Sequence, residues 1–268
     1  ARVPGFQPSQ GVYDWNADAN QRWILQAAKA RGANIFEAFS NSPPYWMTNS
    51  GSVTGAVGGG DNLRTDMYDA FADYLTTVVQ HFRDNWGINF RTLSPVNEPS
   101  ANYWYFGNRQ EGSHYERTSQ ASIIQKTGQS LINKGLSTKI SASEETDIDV
   151  GRDTNNFFDA TTKSYISQYN VHSYSGSDRV GYYNSVPSGS RIWLSEHGDG
   201  ESTGMQMSLS ILNDIKYLKN SAWVYWQAVE DNSAVPGWGM IESDTNNPNS
   251  SYPADVKKKY YMMANWSK

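Results

Sequence analysis

The sequence lacks cysteine altogether, and it is poor in charge. The absence of cysteine from its 268 residues excludes a disulfide scaffold, a thiolate metal site and a cysteine nucleophile. Charged residues make up 18%, against about 25% in an average soluble domain, and the net charge is −5. A basic nucleic-acid footprint is missing, so we expect no nucleic-acid partner. No apolar run approaches the roughly 18 residues of a membrane span, so we expect no membrane partner either.

Aromatic residues are abundant instead. The chain has 10 Trp and 17 Tyr, and aromatic residues total 13%. Rings that lie against flat apolar faces, among many hydroxyl and amide groups, are typical of proteins that bind sugars. Aromatic rings also fill protein cores, so composition alone leaves both interpretations open.

Helical and extended patterns alternate along the whole chain. Apolar residues at helical spacing predict helices at Asp18–Arg31, Met67–Phe82, Ser119–Lys134 and Ile211–Leu218. Short apolar runs between them predict buried parallel strands at Asn34–Phe39, Phe90–Val96, Lys139–Ala142, Tyr169–His172, Arg191–Leu194 and Ala222–Trp226. This alternation, without a linker or a fixed repeat, predicts βαβ units in one α/β domain over residues 1–268.

Polar and aromatic residues follow all six predicted strands at their carboxyl ends. In a (β/α) barrel the catalytic residues occupy that face. Two glutamates, Glu98 and Glu196, stand there at the ends of apolar strands. A buried carboxylate is costly unless it is paired or used, so one such residue could be a salt bridge or a helix cap. Two such glutamates favour a catalytic pair, because Asn97, His172 and Tyr174 also stand at the carboxyl ends of the predicted strands.

A pair of this kind fits retaining glycoside hydrolysis, in which one carboxylate attacks the anomeric carbon and the other acts as acid and then base. Asn97 could then bond the 2-hydroxyl of the sugar, and Tyr174 could hold the nucleophile ionised by donating its hydroxyl. We expect the carboxyl groups of Glu98 and Glu196 to lie about 5–5.5 Å apart. We also expect the pKa of Glu98 to be the raised one and Glu196 to be ionised.

Six segments carry a resemblance to a known family. FSNSPPYWM, SPVNEPS, RQEGSHY, VHSY, WLSEHGDG and WVYWQ resemble the strand-end motifs of glycoside hydrolase family 30, and the chain is most similar to its endo-β-1,6-galactanase subgroup. The resemblance implies a retaining (β/α)8 TIM barrel with Glu98 as acid/base, Glu196 as nucleophile and Trp226 as a platform under the sugar. It further implies a set of residues that line the subsites: Asn97, Asn41, Trp46, Gln110, Glu111, His114, Glu144, His172 and Tyr174.

The sequence departs from the family pattern in one respect. If Glu98 follows the fourth barrel strand, Asn34–Phe39 is the third, and the chain lacks counterparts of strands one and two and of the family's β side domain. We therefore expect six parallel strands in chain order, with a gap between the first and the last, in a chain that is part of a longer enzyme. Both bare edges should be rich in apolar residues.

The resemblance implies a secreted, monomeric endo-acting hydrolase whose partner is a polysaccharide or oligosaccharide, with β-1,6-galactan side chains of arabinogalactan as substrate. Two alternatives stay open: a family-30 hydrolase of another β-glycan, such as β-1,6-glucan, xylan or a glucosyl conjugate, and a non-catalytic carbohydrate-binding barrel. The four histidines show no metal-ligand spacing, so we expect neither a metal ion nor another cofactor.

Overall fold

A parallel sheet of six strands forms the centre of the molecule. The computed structural model describes residues 5–233, 237–247, 251 and 254–267. The strands are β1 (Glu37–Phe39), β2 (Thr92–Ser94), β3 (Lys139–Asp147), β4 (Ile166–Ser175), β5 (Arg191–His197) and β6 (Ala222–Tyr225). They pair in the order β1-β2-β3-β4-β5-β6, and every pair is parallel.

This order confirms the predicted arrangement of six strands with a gap. Among the described residues, β1 pairs only with β2, and β6 pairs only with β5. The central strands β3 and β4 have nine and ten residues, whereas β1 has three and β6 has four. Strand length does not follow the number of neighbours, because β2 pairs on both sides and also has only three residues.

Helices pack on the outer face of the sheet. Their bounds are α1 (Ala19–Ala30), α2 (Tyr68–Trp86), α3 (Arg117–Asn133), α4 (Ile148–Phe157), α5 (Ala160–Tyr165), α6 (Arg179–Ser185), α7 (Met205–Asn213) and α8 (Lys258–Ser267). The strong apolar stripe of α2 buries Phe71, Leu75, Val79 and Phe82 in the core. The helix ends where Gly87 adopts a left-handed conformation at φ 64°, which glycine allows without a Cβ clash.

The sequence patterns did not predict α4, α5 and α6. These helices have six to ten residues, too few for a clear period of 3.6. Each begins at an aspartate whose side chain accepts hydrogen bonds from the first turn, at Asp147, Asp159 and Asp178. Such caps satisfy backbone N–H groups that a helix start leaves unpaired.

A second, small sheet follows β6 and was also not predicted. It consists of β7 (Val229–Asp231), β8 (Ile241–Ser243) and β9 (Asp255–Val256), in that order. These strands of two or three residues are too short to show alternation. The segment between β7 and β8 carries Trp238, which reaches the site described below.

Large apolar side chains are exposed beside both bare edges, as the gap predicts. On the β1 side, α1 has no buried residue, and Trp23 and Ile24 are 67% and 59% exposed. A groove of about 480 Å³ runs along that edge, and Phe39 and Leu93 are among the residues that line it. On the β6 side, Val224 of the strand itself is 40% exposed. None of the described helices combines the length and apolarity needed to cross a bilayer.

Candidate active site

Glu98 stands on an irregular turn beyond the end of β2. Its backbone is left-handed, with φ 47°, and the next strand holds it there, because its N–H donates to the carbonyl oxygen of Glu144 at 2.8 Å. The indole of Trp104 donates to the carbonyl oxygen of Glu98 at 2.9 Å. Glu144 is itself left-handed, at φ 61°. Non-glycine residues in this region are strained, and such strain persists where the surrounding structure fixes a functional side chain.

The carboxylate of Glu98 is nearly buried and accepts two hydrogen bonds. The hydroxyl of Tyr103 donates to Oε2 at 2.7 Å, and Nδ1 of His172 lies 3.3 Å from Oε1. Burial alone would raise the pKa of Glu98, but these donors and the charge of His172 outweigh it and lower the pKa below the usual value.

Glu196 reaches the same space from β5. Tyr174 of β4 donates its hydroxyl to Oε1 of Glu196 at 2.8 Å, as the sequence predicted. Nδ1 of His172 is farther from this oxygen, at 3.8 Å. Burial raises the pKa of Glu196, and the negative charges of Glu98 and Glu144 add to this, so that His172 and Tyr174 do not bring it back to the usual value.

The two glutamates lie close together, but their protonation order is the reverse of the prediction. One carboxylate oxygen of each lies within 4.8 Å of the other; the separation of the carboxyl groups expected of a retaining enzyme stays a prediction. In the free site the pKa is lowered for Glu98 and raised for Glu196, so the expectation of a raised Glu98 was wrong. The reason is His172, which approaches Glu98 more closely than Glu196.

His172 is the charged centre of the site. It is 1% exposed, and its two ring nitrogens face different carboxylates: Nδ1 faces Glu98, and Nε2 lies 3.2 Å from Oε2 of Glu144. Both nitrogens can donate only in the imidazolium form. Burial opposes that charge, but the surrounding glutamates, Glu196 and Glu144 among them, raise the pKa of His172 to about 10.

Glu144 lies beneath this imidazolium. It is 3% exposed, and both of its oxygens are already bonded within the protein. Oε1 accepts from Asn170, and Oε2 accepts from Ser195 and from His172. The resemblance implied that Glu144 lines a subsite; the structure buries it beside His172 with both oxygens bonded to protein groups, and its contact with a sugar stays a prediction.

The other predicted residues divide between the site and its surroundings. Asn97 is 4% exposed beside Glu98, and its amide donates to Oδ1 of Asn41 at 3.3 Å. Trp226 follows β6 at the carboxyl edge of the sheet and is 36% exposed. Both positions agree with contact to a sugar, which stays a prediction.

Four predicted residues lie outside the hydrogen-bonded cluster of glutamates. The indole N–H of Trp46 donates to the backbone oxygen of Gln7, and the ring packs against the core. His114 lies near the backbone oxygen of Ala101 and near Glu116. Gln110 is exposed, and Glu111 lines the groove beside β1. Their roles in substrate binding stay predictions.

Sequence reasoning missed several residues of the site. Tyr103 donates to Glu98, and the ring of Trp238 packs on that of Tyr174 with centroids 5.7 Å apart. Both stand in irregular segments, where no periodicity shows which side chain turns inward. Ser195, which immediately precedes a predicted catalytic residue, is a hydrogen-bond donor to Glu144.

A metal ion would have to use the same residues. Among the described residues, Glu98, His172 and Glu196 are the one group whose ligand atoms come close enough. Both nitrogens of His172 face carboxylates, so its imidazolium has no lone pair for a cation. We therefore do not assign these residues as metal ligands, and the expectation of a metal-free site stays a prediction.

Known proteins resemble this chain in sequence. Residues 1–193 match the family model described as O-Glycosyl hydrolase family 30. An endo-beta-1,6-galactanase of Hypocrea rufa is 38% identical over 260 residues, which are 96% of this chain and 53% of that protein. An exo-beta-1,6-galactobiohydrolase of Bifidobacterium longum subsp. longum is 26% identical over 84% of this chain and 18% of its own length. The chain thus spans about half the length of the first relative and less than a fifth of the length of the second.

Solved structures share the fold. A conserved exported protein from Bacteroides fragilis superposes with a TM-score of 0.84 at 24% identity, over 98% of this chain and 62% of that chain. The catalytic domain of GH30 xylanase C from Talaromyces cellulolyticus superposes with a TM-score of 0.78 at 21% identity, over the same shares. The six-stranded sheet with its outer helices is therefore part of a (β/α)8 barrel, and by its sequence match the chain belongs to O-glycosyl hydrolase family 30.

Proposed function

We propose that this chain is the catalytic part of a retaining endo-hydrolase that cleaves β-1,6-galactan, such as the side chains of arabinogalactan. The observation that carries the proposal is the pair of glutamates, Glu98 buried and Glu196 half-buried, with oxygens within 4.8 Å of each other, at the carboxyl edge of the sheet. Family membership supports the reaction type, and the 38% identity to an endo-beta-1,6-galactanase supports the substrate.

In the proposed reaction Glu196 attacks the anomeric carbon and forms a glycosyl ester while the bond to the leaving oxygen breaks. Glu98 gives its proton to that oxygen, then takes a proton from a water molecule that attacks the same carbon and releases Glu196. Tyr174 holds the attacking oxygen of Glu196 in place through its hydroxyl.

The charge distribution of the free site adds one requirement. Glu98 must be protonated and Glu196 ionised before the first step, but the pKa directions in the free site favour the opposite arrangement. The two groups lie close enough to titrate as a pair. One proton shared by the pair is sufficient, provided that it resides on Glu98 when a sugar is bound. A sugar oxygen beside Glu98 and a partly positive anomeric carbon beside Glu196 favour that placement.

Other residues have proposed roles in holding the sugar. Asn97, immediately before Glu98, would bond the 2-hydroxyl, and the exposed ring of Trp226 would stack beneath the sugar. The remaining subsite residues proposed from the resemblance are Asn41, Trp46, Gln110, Glu111 and His114. The described hydrogen bonds of Asn41, Trp46 and His114 go to groups other than Glu98 and Glu196, so substitution of these three residues should change KM more than kcat.

The substrate assignment is tested by product analysis. The full-length protein is incubated with de-arabinosylated arabinogalactan, β-1,6-glucan and xylan, and products are followed over time. Early release of a range of β-1,6-galacto-oligosaccharides supports the proposal. Release of a single product of constant length would show exo action, and preference for glucan or xylan would assign another β-glycan. Binding to galactan without hydrolysis would leave a carbohydrate-binding barrel.

The reaction type is tested by the anomeric configuration of the first product. Proton NMR of the initial digest should show the β-anomer before mutarotation, since two displacements restore the configuration. An initial α-anomer would contradict the assignment of Glu196 as nucleophile.

We further propose that this domain acts within a longer, secreted, monomeric enzyme whose additional strands close the barrel. The bare edges of β1 and β6 and the exposed apolar residues beside them support this proposal, because closed barrels leave no unpaired edge. The chromatographic mass of the full-length protein and its presence in the culture medium test the state and the location.

A further inference from the structure

Another carboxylate, that of the half-buried Glu37 of β1, is connected to the catalytic cluster by side-chain hydrogen bonds. Oε1 of Glu37 accepts from the amide of Asn170 at 2.7 Å. Oε2 accepts from the amide of Gln168 at 2.8 Å and from the hydroxyl of Thr92. Asn170, Gln168 and Thr92 are each at most 1% exposed. The proposed reaction uses none of these four residues.

The amide of Asn170 joins Glu37 to the site. The same Nδ2 atom that donates to Glu37 also donates to Oε1 of Glu144 at 2.5 Å. Glu144 in turn faces Nε2 of His172, whose other nitrogen faces Glu98. An unbroken series of hydrogen bonds therefore leads from Glu37 to the proposed catalytic acid.

Arg91 fixes which groups donate and which accept in this series of hydrogen bonds. Arg91 is always a donor, and its Nη2 atom donates to Oε1 of Gln168 at 2.6 Å. The amide nitrogen of Gln168 must then point the other way, toward Glu37 and toward Oδ1 of Asn170 at 2.9 Å. The oxygen of Asn170 is thereby occupied, so that its nitrogen must face the two carboxylates. If either amide flipped, a hydrogen-bond donor would face a donor and an acceptor would face an acceptor.

From this arrangement we infer that Glu37 is a positioning residue: acting through the Asn170 amide, it fixes Glu144 and so holds the imidazolium of His172 between the catalytic glutamates. The inference rests on the proposed function for its catalytic consequence, but its structural part concerns His172 alone.

The electrostatic surroundings of Glu37 agree with this role. The charged groups that face it are Glu144 on β3 and Arg91 before β2, with Arg191 at the start of β5 acting on Arg91. Its neighbours from β4 are neutral amides. Burial, and next the charge of Glu144, raise the pKa of Glu37 to about 7. Its negative charge therefore forms as the pH rises through neutrality.

The test uses Glu37→Gln in the full-length protein. The new amide nitrogen must face a donor of Asn170 or Gln168, which disturbs the series without changing side-chain size. We expect kcat on β-1,6-galactan to fall on the order of tenfold, with KM within about twofold. We also expect the alkaline limb of the pH–rate profile to move to lower pH, because a nearby negative charge that raised the pKa values of the site is gone.

A second readout does not depend on activity. In ¹⁵N-labelled protein, both ring N–H groups of His172 should be observable, and Glu37→Gln should lower the pKa of His172. Asn170→Ala should lower the pKa of His172 as well, because it removes the amide that joins Glu37 to Glu144. The double variant should lower this pKa no further than either single variant does. Unchanged His172 signals in Glu37→Gln, or additive effects in the double variant, would overturn the inference.

Asp214→Asn is the matched control. Asp214 is a fully buried carboxylate on the outer side of the sheet, where it pairs with Arg179. This variant should lose stability but leave kcat and His172 as in the wild type. If it lowered kcat as much as Glu37→Gln does, Glu37 would have no specific role. If the wild type hydrolysed none of the glycans, the proposed function would fail, and the His172 signals would still decide the inference.

Discussion

Glu98 and Glu196 are the same residue type at the same edge of one sheet, yet they are held in different ways. Glu98 stands on a strained turn, fixed by the backbone of Glu144 and by Trp104, whereas Glu196 lies within strand β5. Glu98 accepts from Tyr103 and lies nearer the imidazolium, and its pKa is lowered. Glu196 accepts from Tyr174 and faces two negative charges, and its pKa is raised. Burial raises the pKa of both carboxyl groups, and the neighbouring donors and charges decide whether that rise persists.

The largest expected effect separates the two roles. Glu196→Ala should lower kcat by about four or more orders of magnitude on every substrate, because the nucleophile is gone. Glu98→Ala should be as damaging on galactan, but much less so on an aryl galactoside whose leaving group needs no proton. Rates on both substrates test this. With added azide, Glu98→Ala should yield the β-azide and Glu196→Ala the α-azide, and the opposite result would exchange the roles.

The two tyrosines allow a matched comparison at each glutamate. Tyr174→Phe should lower kcat by roughly ten- to a hundredfold, the value of about 1.5–3 kcal/mol for a hydrogen bond to a charged group. Tyr103→Phe should cost only a few-fold, because Tyr103 is 38% exposed and His172 still faces Glu98. Steady-state rates of both variants check this. Equal losses would mean that the two carboxylates depend on their tyrosines to the same degree.

A smaller effect concerns the interaction between the glutamates. The charge of Glu98 raises the pKa of Glu196, so Glu98→Gln should lower that pKa. The ¹³C signal of the Glu196 carboxyl, followed by NMR over pH, measures the shift. No change would show that the two groups titrate independently, despite the short distance between their oxygens.

The last effect is on stability. The pKa of His172 rises from 6.5 to about 10 on folding, so the folded state binds its proton more tightly. This contribution is fully present below pH 6.5 and is lost as the pH rises toward about 10. The free energy of unfolding, measured by denaturant titration, should fall across that range, and it should fall less in His172→Gln. If the free energy of unfolding fell equally in both proteins, the pH dependence would come from groups other than His172.

The order of the six strands could be predicted from the sequence because each strand follows a simple rule. Apolar runs alternate with helices, and consecutive strands pair in parallel. The long helix α2 was predicted from its apolar stripe, while α4 to α6 depend on aspartate caps and tertiary packing. The proximity of Glu98 and Glu196 followed from their places at strand ends.

The protonation order could not be predicted, since it depends on a difference between two distances that is smaller than an ångström. His172 is 3.3 Å from one glutamate and 3.8 Å from the other, a difference that no spacing in the sequence encodes. Tyr103 was missed for a related reason. The path of its loop turns this ring, and not Tyr105 or Phe106, toward Glu98.

The pairing of each strand with its neighbour in the chain has a consequence for how the protein folds. Both proposed catalytic glutamates, Tyr103, His172 and Tyr174 all come from the continuous stretch 92–197, which contains β2 to β5. Every strand contact within it joins consecutive elements, so sequence separations are short and folding should be fast for a parallel sheet. Closing the barrel concerns only β1 and β6, which carry neither glutamate of the pair. The reacting groups can therefore assemble before the ring is complete, and closure would add rigidity to a site that already exists.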